Sequence, residues 1–236
     1  MRAGGNPEES ACLEYAKANI PALADINGHW AQRRIEILQS ITTLPSRRAI
    51  VEGYQESGGS RVFLPERPIS RFELLKLALM SNCILLRGDA EAPARVFTDL
   101  PYRHRPKESD DRMLRRQVVY TAASHNIVEG YEDGTFRPDA PITRAEALKI
   151  ILKASRLPEL FGIGEAIPLN RSFADVEIGA WYVPFLAQAL TLDLVQGYED
   201  GTFQAGSHIT RAEAAKLIHA SLVGNPGVNS QVVPSE

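Results

Sequence analysis

Several things are scarce in this chain. No apolar run approaches the roughly 18 residues that would cross a bilayer as a helix. Neither sign of charge dominates, since 26 Lys and Arg stand against 29 Asp and Glu. A nucleic-acid-binding domain usually carries a basic excess, so that class is set aside. The one charge-dense stretch, "YRHRPKESDDRMLRR" at 102–116, alternates in sign and reads as the solvated start of a helix. Cysteine occurs twice, at Cys12 and Cys83, with a spacing that fits no zinc or CxxC motif. Either the two pair across the fold or each is a small buried apolar residue. The histidines (His29, His104, His125, His208, His219) form no H-E-x-x-H pair, and G-x-S-x-G and phosphate-loop motifs are missing. An enzyme is therefore not expected, and no cofactor or metal is implied. The N-terminal "MRAGGNPEES" lacks the apolar segment of a secretion signal. That leaves a cytoplasmic protein or a fragment of a longer exported one.

What is present is repetition, which is sought before any fold is assigned. Sliding the chain by 67 residues lays 127–150 on 194–217, and 15 of those 24 positions are identical. "GYEDGTF" recurs at 130–136 and 197–203, each time followed by "ITRAE". A weaker copy at 50–79 keeps Gly53, Tyr54, Phe63 and Pro65, with a loop four residues longer and "SRFE" (70–73) in place of "TRAE". Upstream of the first and third loops stand Asp25 with Trp30 and Asp175 with Trp181. The middle copy has no Trp, and Leu114 falls near that position. The unit is an Asp turn, a helix, a Gly-Tyr loop and a second helix. The predicted divisions are an extension at 1–22, units at 23–82, 96–155 and 172–222, and a tail at 223–236. The extension is expected to hold an extra helix ("EESACLEYAKANI") or a frayed lead-in. The middle unit carries about ten extra residues before a helix predicted over roughly 110–124.

The motif has a physical reading. Thr143 and Glu146 have the spacing of a capping box, in which the Thr hydroxyl accepts from the Glu N–H and the Glu carboxylate reaches back. Ser70 with Glu73 and Thr210 with Glu213 repeat it. Arg71, Arg144 and Arg211 then sit at the first helical position, where a cation opposes the helix dipole by about 0.3–1 kcal/mol. Capping does not need them. They serve an internal salt bridge to a neighbouring unit, the grip of an anion that also uses the N–H groups of the helix start, or both at once. Gly134 and Gly201 are expected at positive φ in an Asp-Gly turn, Gly130 and Gly197 as C-caps of the preceding helix, and Phe136 and Phe203 in the core. The loop fails the EF-hand pattern, because Tyr131 and Ala140 would fall on ligand positions. Trp30 and Trp181 read first as core wedges and second as flat platforms for a sugar.

These residues together resemble the S-layer homology (SLH) family: Asp25, "HWA" at 29–31, "GYEDGTF" and "ITRAE", over roughly 23–222. The resemblance implies an all-α fold, with three helix-loop-helix repeats in a pseudo-threefold arrangement around a central three-helix bundle. It implies a non-catalytic cell-surface anchor whose inter-repeat grooves bind secondary cell-wall polysaccharide, often through a pyruvate-ketal sugar. Carried over by position, the carbohydrate-binding candidates are Arg71, Arg144, Arg211, Trp30, Trp181, Gly53, Gly130 and Gly197. The implied partner is an anionic wall polysaccharide, alongside other envelope proteins, and the implied location is the cell wall. The departures in the first two units keep an alternative open, a protein-assembly module of the envelope with decayed grooves.

Overall fold

The computed structural model describes residues 12–15, 21–43, 48–86, 96–101, 109–164 and 167–226. Most of the predicted tail and parts of the extension and linkers lie outside these. Seven helices occur among the described residues: α1 (Gln32–Ser40), α2 (Arg71–Ser81), α3 (Asp110–Ser124), α4 (Arg144–Ser155), α5 (Leu157–Leu160), α6 (Val183–Thr191) and α7 (Arg211–Val223). The chain is mostly helical but not all-α. Strands β1 (Leu13–Tyr15), β2 (Ile41–Thr43) and β3 (Arg48–Ala49) form an antiparallel sheet, and β4 (Tyr54–Gln55) pairs with β5 (Arg61–Val62). The longer loop of the first unit is absorbed by that β4–β5 hairpin.

The extra helix expected in the extension is not found where the structure describes it. Residues 13–15 form β1, whose Leu13 is buried. Its neighbour Cys12 is disulfide-bonded to Cys83, just past α2, with a Cα separation of 5.8 Å. Edge pairing with β2 and a covalent tie outweigh local helix preference over so short a segment.

The three helices that follow the capping boxes, α2, α4 and α7, touch one another and form the centre. Each is apolar over most of its surface, as a helix packed on several sides must be. The outer helices do not make their main contacts with the central helix of their own unit. Instead α3 lies on α2, α6 on α4, and α1 on α7. The arrangement is cyclic: each outer helix covers the central helix of the unit before it, and the first covers that of the last.

The backbone repeats this cycle at the axis. Ile69 N–H donates to Ile209 C=O at 3.0 Å, Ile209 N–H to Ile142 C=O at 3.2 Å, and Ile142 N–H to Ile69 C=O at 3.1 Å. All three isoleucines are buried. A closed ring of three hydrogen bonds satisfies backbone groups that no helix or sheet could reach there.

Each loop is fixed by the aspartate at the start of its unit. Asp99 accepts from Phe136 N–H at 2.8 Å and Arg137 N–H at 2.6 Å. Asp25 does the same for Phe63 and Leu64, and Asp175 for Phe203 and Gln204. The second residue of each pair, Leu64, Arg137 or Gln204, is held at φ near +58°. The carboxylate offsets the cost of placing a non-glycine residue in that region. The loop phenylalanines Phe63, Phe136 and Phe203 are thereby driven fully into the core.

The expected C-cap role of Gly130 and Gly197 is not what the structure shows. Helix α3 ends at Ser124 and α6 at Thr191, and the left-handed residues that close them are Asn126 (φ 55°) and Asp193 (φ 54°). Ile127 N–H returns to Ala122 C=O and Leu194 N–H to Ala189 C=O, each at 2.9 Å, as in a Schellman ending. Short polar side chains tolerate this conformation, so no glycine was required. Gly130 and Gly197 stand further on and serve packing: a Cβ there would lie 2.4 Å from Phe97 and 2.3 Å from Phe173. Gly53 is similarly crowded, by Leu23.

Candidate functional site: grooves beside the capped helices

The capping boxes form at all three central helices, with Ser70, Thr143 and Thr210 accepting from Glu73, Glu146 and Glu213 N–H, and each Glu returning to the cap N–H. The second carboxylate oxygen of each glutamate remains available. A tyrosine hydroxyl of the same unit donates to it: Tyr131 to Glu146 at 3.0 Å, Tyr198 to Glu213 at 2.8 Å, and Tyr54 to Glu73.

The motif arginine of the preceding unit then arrives. Arg71 donates from Nε to Phe136 C=O at 3.1 Å and from a terminal nitrogen to Glu146 at 2.9 Å. Its guanidinium lies 4.7 Å from the Tyr131 ring and 4.9 Å from that of Phe136. Arg211 donates to Phe63 C=O at 2.7 Å and to the Tyr54 hydroxyl at 3.0 Å, with Glu73 at 3.5 Å. Arg144 lies over Tyr198 and Phe203 with Glu213 at 3.7 Å, but its buried Nε finds no acceptor among the described residues. All three arginines are at most 8% exposed. The salt bridge to a neighbouring unit, left open by the sequence, is thus present.

The N–H donors that the anion grip would also use are already engaged. The N–H groups at each helix start are taken: Arg71 and Phe72 donate to Ala140 and Pro138, Arg144 and Ala145 to Ser207 and Ala205, and Arg211 and Ala212 to Arg67 and Pro65. The chain of the next unit supplies the acceptors that an anion would otherwise replace.

Electrostatics follow from this wiring. Burial alone would raise Glu146 and Glu73. For Glu146 it is outweighed by the Thr143 N–H and hydroxyl, the Arg71 charge and the Tyr131 hydroxyl. For Glu73 it is outweighed by the Tyr54 hydroxyl, the Ser70 N–H, Arg211 and Arg67. Both carboxyls are held below the usual range. Burial and the bond to Glu73 push the Tyr54 phenol up to about 12. Burial lowers Arg211.

Two grooves open beside these clusters. One, of about 630 Å³, is lined by Tyr54, Glu73, Lys76, Arg67 and Arg115, with Arg211 at its floor. The other, of about 680 Å³, is lined by Tyr131, Arg137, Glu146, Lys149 and Trp181, with Arg71 at its floor. Gly53 lines the first and Gly130 the second. Trp181 is 54% exposed and Trp30 53%, so neither is a core wedge. Both stand in the turn two residues ahead of their helix, off its buried face, and the loop phenylalanines occupy the core in their place.

The first groove is different in kind. Arg67 enters it, lying 4.9 Å from the Tyr54 ring and bonded to both Tyr54 and Glu73. Leu114, predicted at the Trp position, faces another cavity beside Cys12 and Cys83. Arg115 lies there instead, 4.8 Å from the Phe72 ring and paired with Asp111 and Asp139.

Sequence reasoning overlooked the tyrosine hydroxyls and a lysine. Lys76, Lys149 and Lys216 each follow the motif arginine by five positions, and each Tyr follows the motif glycine. Both signals stand in every copy.

The family model for the S-layer homology domain matches residues 116–148 and 172–215. Cell surface glycoprotein 1 of Acetivibrio thermocellus is 30% identical over 182 residues, 76% of this chain and 7% of that protein. The Cellulosome-anchoring protein of the same organism is 36% identical over 169 residues, 70% of this chain and 34% of its own. Exoglucanase XynX, also from that species, is 33% identical over 199 residues, 84% of this chain and 16% of its own. The chain therefore spans about a third or less of the length of these curated relatives, and the two stretches 116–148 and 172–215 are what in it is similar to the S-layer homology domain.

Proposed function

We propose that this chain is a non-catalytic anchoring module that binds secondary cell-wall polysaccharide at the cell surface, in grooves between neighbouring units. The observation that carries the reading is the second groove. It joins a half-exposed Trp181 to Tyr131, Arg137 and Lys149. A flat apolar face beside hydrogen-bonding and cationic groups is what a charged sugar requires. The relatives add support, because proteins named for a surface glycoprotein, an anchoring function and an exoglucanase share this stretch over a small part of their length. A shared module with a common task fits that better than a shared reaction. The disulfide suits an oxidising, extracellular setting. On this reading the cyclic packing is a pseudo-threefold one, and the polysaccharide carries an acidic sugar such as a pyruvate ketal.

The motif arginines enter this reading in a changed role. Arg71, Arg144 and Arg211 hold the groove floor by fixing Tyr and Glu, and their own contact with a ligand is limited by burial. Gly53, Gly130 and Gly197 shape the wall by admitting the neighbouring side chains closely.

A second reading draws on the first groove. Arg67 and Arg115 fill it with paired charge where the other outer helices offer Trp. That surface suits an envelope protein better than a stacked sugar. The test is co-sedimentation with wall sacculi before and after their polysaccharide is stripped. Anchoring predicts binding that disappears on stripping and weakens at least tenfold in Trp181→Ala. Sedimentation that survives stripping would sink it.

A further inference from the structure

We propose that Asn27 is a site of spontaneous covalent modification, closing with the Gly28 amide to a cyclic imide that opens to aspartate or isoaspartate, and that Gln32 restrains the reaction. The inference is independent of the anchoring reading above.

The chemistry needs only the chain and water. The backbone nitrogen of Gly28 attacks Cγ of Asn27, its proton passes to solvent, and the side-chain nitrogen leaves as ammonia. Water then adds to either carbonyl of the ring. Opening on one side gives aspartate. Opening on the other gives isoaspartate, in which the main chain runs through Cβ and is one carbon longer. Nothing is oxidised or reduced.

Asn27 meets the demands of that attack. It is the one asparagine of the chain followed by glycine. A following side chain would crowd the attacking nitrogen, and glycine has none. Both residues are exposed. A Cβ at Gly28 would meet nothing within 4 Å, so the crest of the turn is open.

The fold calls for the glycine but not for the asparagine. His29 N–H donates to Ile26 C=O at 3.0 Å, closing a turn with Gly28 at its third position and φ 73°. A positive φ there favours glycine. The third unit makes a matching turn, in which Ala180 N–H donates to Glu177 C=O at 3.1 Å and Gly179 stands at φ 96°. The residue before that glycine is Ile178, which has no carboxamide.

One contact opposes the reaction. Gly28 N–H donates to Oε1 of Gln32 at 2.8 Å, and Nε2 of Gln32 donates to Glu36 at 2.9 Å, which fixes its orientation. That bond has to break before the nitrogen can lose its proton and turn toward Cγ of Asn27. Both contacts are exposed, so the restraint is modest, about two- to tenfold in rate for a hydrogen bond of ordinary net strength.

The position gives the change a consequence. Asp25 holds the Phe63 and Leu64 N–H groups, and Ile26 and Ala31 are buried on either side of the turn. With both flanks fixed, an extra backbone carbon has to be taken up within 27–30, which displaces Trp30. The aspartate product adds a charge and keeps the backbone.

The experiment incubates the whole chain in warm, mildly alkaline buffer. Acidic species are resolved by ion exchange, and isoaspartate is located by peptide mapping after labelling with an isoaspartyl methyltransferase. Asn170, exposed and followed by Arg171, is the internal control. Asn27 should convert about tenfold or more faster than Asn170, and about two- to tenfold faster again in Gln32→Ala. Asn27→Gln should lose the fast acidic species, because its longer side chain closes a six-membered ring slowly. In urea the rates of wild type and Gln32→Ala should coincide. A folded protein in which Asn27 converts no faster than Asn170 would overturn the proposal. Equal folded rates in wild type and Gln32→Ala would overturn the role of Gln32. The isolated isoaspartyl form should melt below the unconverted protein and the aspartyl form close to it, and identical midpoints would overturn the displacement of the turn.

Discussion

Nε of Arg211 donates to the carbonyl oxygen of Phe63 at 2.7 Å, across 148 residues of chain. The last unit is thereby wired to the first as the first is to the second through Arg71 and Phe136. An arginine that opposes the dipole of its own helix is stabilised by the carbonyl, ring and carboxylate of another unit.

Arg211→Met is expected to lower stability by about 3 kcal/mol, because removing one partner of a buried pair leaves the rest uncompensated. Arg67 continues to shield Glu73, which keeps the loss toward the lower end. Arg211→Lys should fall close to the Met variant, since lysine cannot reproduce the Nε donor or the planar contact with Tyr54 and Phe63. Urea unfolding measures both, and a midpoint equal to wild type would refute the structural role.

Gly197→Ala should destabilise by about 1–3 kcal/mol, from a methyl group forced against Phe173 at a positive φ. Gly206 has open space around its Cβ position and an ordinary φ. Its replacement by alanine should change stability by less than about 0.5 kcal/mol. Equal losses in the two variants would show that the close approach of Phe173 does not matter.

Stability should decline in acid. Glu73 and Glu146 titrate below their usual range in the folded protein. Their stabilisation is complete above the unfolded value of about 4.3 and is lost as pH falls through the lower folded values. Glu146→Gln should therefore be less stable than wild type at pH 7, with the gap narrowing toward pH 3. A constant gap between the two unfolding curves over that range would contradict the assignment.

Reduction of the Cys12–Cys83 bond should lower stability by up to about 4 kcal/mol, the chain-entropy figure for a loop of this size. The sequence separation is 71. The effect should be seen as a lower thermal midpoint in the presence of reductant, and Cys12→Ser should show it without reductant. A midpoint indifferent to reductant in wild type would mean that β1 contributes little.

What was legible in the sequence was local. The capping boxes, the Asp-Gly turns and the buried Phe136 and Phe203 each follow from residues within a few positions of one another. The span of α3, Asp110–Ser124, matches its prediction because its apolar period is unbroken. The destination of the arginines was not legible as a single answer, since Arg71 meets Glu146 75 positions away and nothing nearby marks the partner. The strands were missed because segments of two or three residues show no period. The exposed tryptophans were misjudged because a helix-start position does not say which way the preceding turn faces. Asn126 and Asp193 took the closing role assigned to glycine, a substitution that polar side chains permit and sequence alone leaves undecided.

The hydrogen bonds of Ile69, Ile142 and Ile209 close on themselves. In a stacked solenoid each copy meets only its neighbours, and the array can grow or shrink by one with a cap at each end. Here each of the three isoleucine N–H groups is answered by another member of the ring. A fourth copy would find no vacant acceptor, and deleting one would strip partners from both of the others. On the three-unit reading proposed above, the outer helices and loops can vary one unit at a time, as the first groove illustrates, while a change in the number of members would require rebuilding the centre.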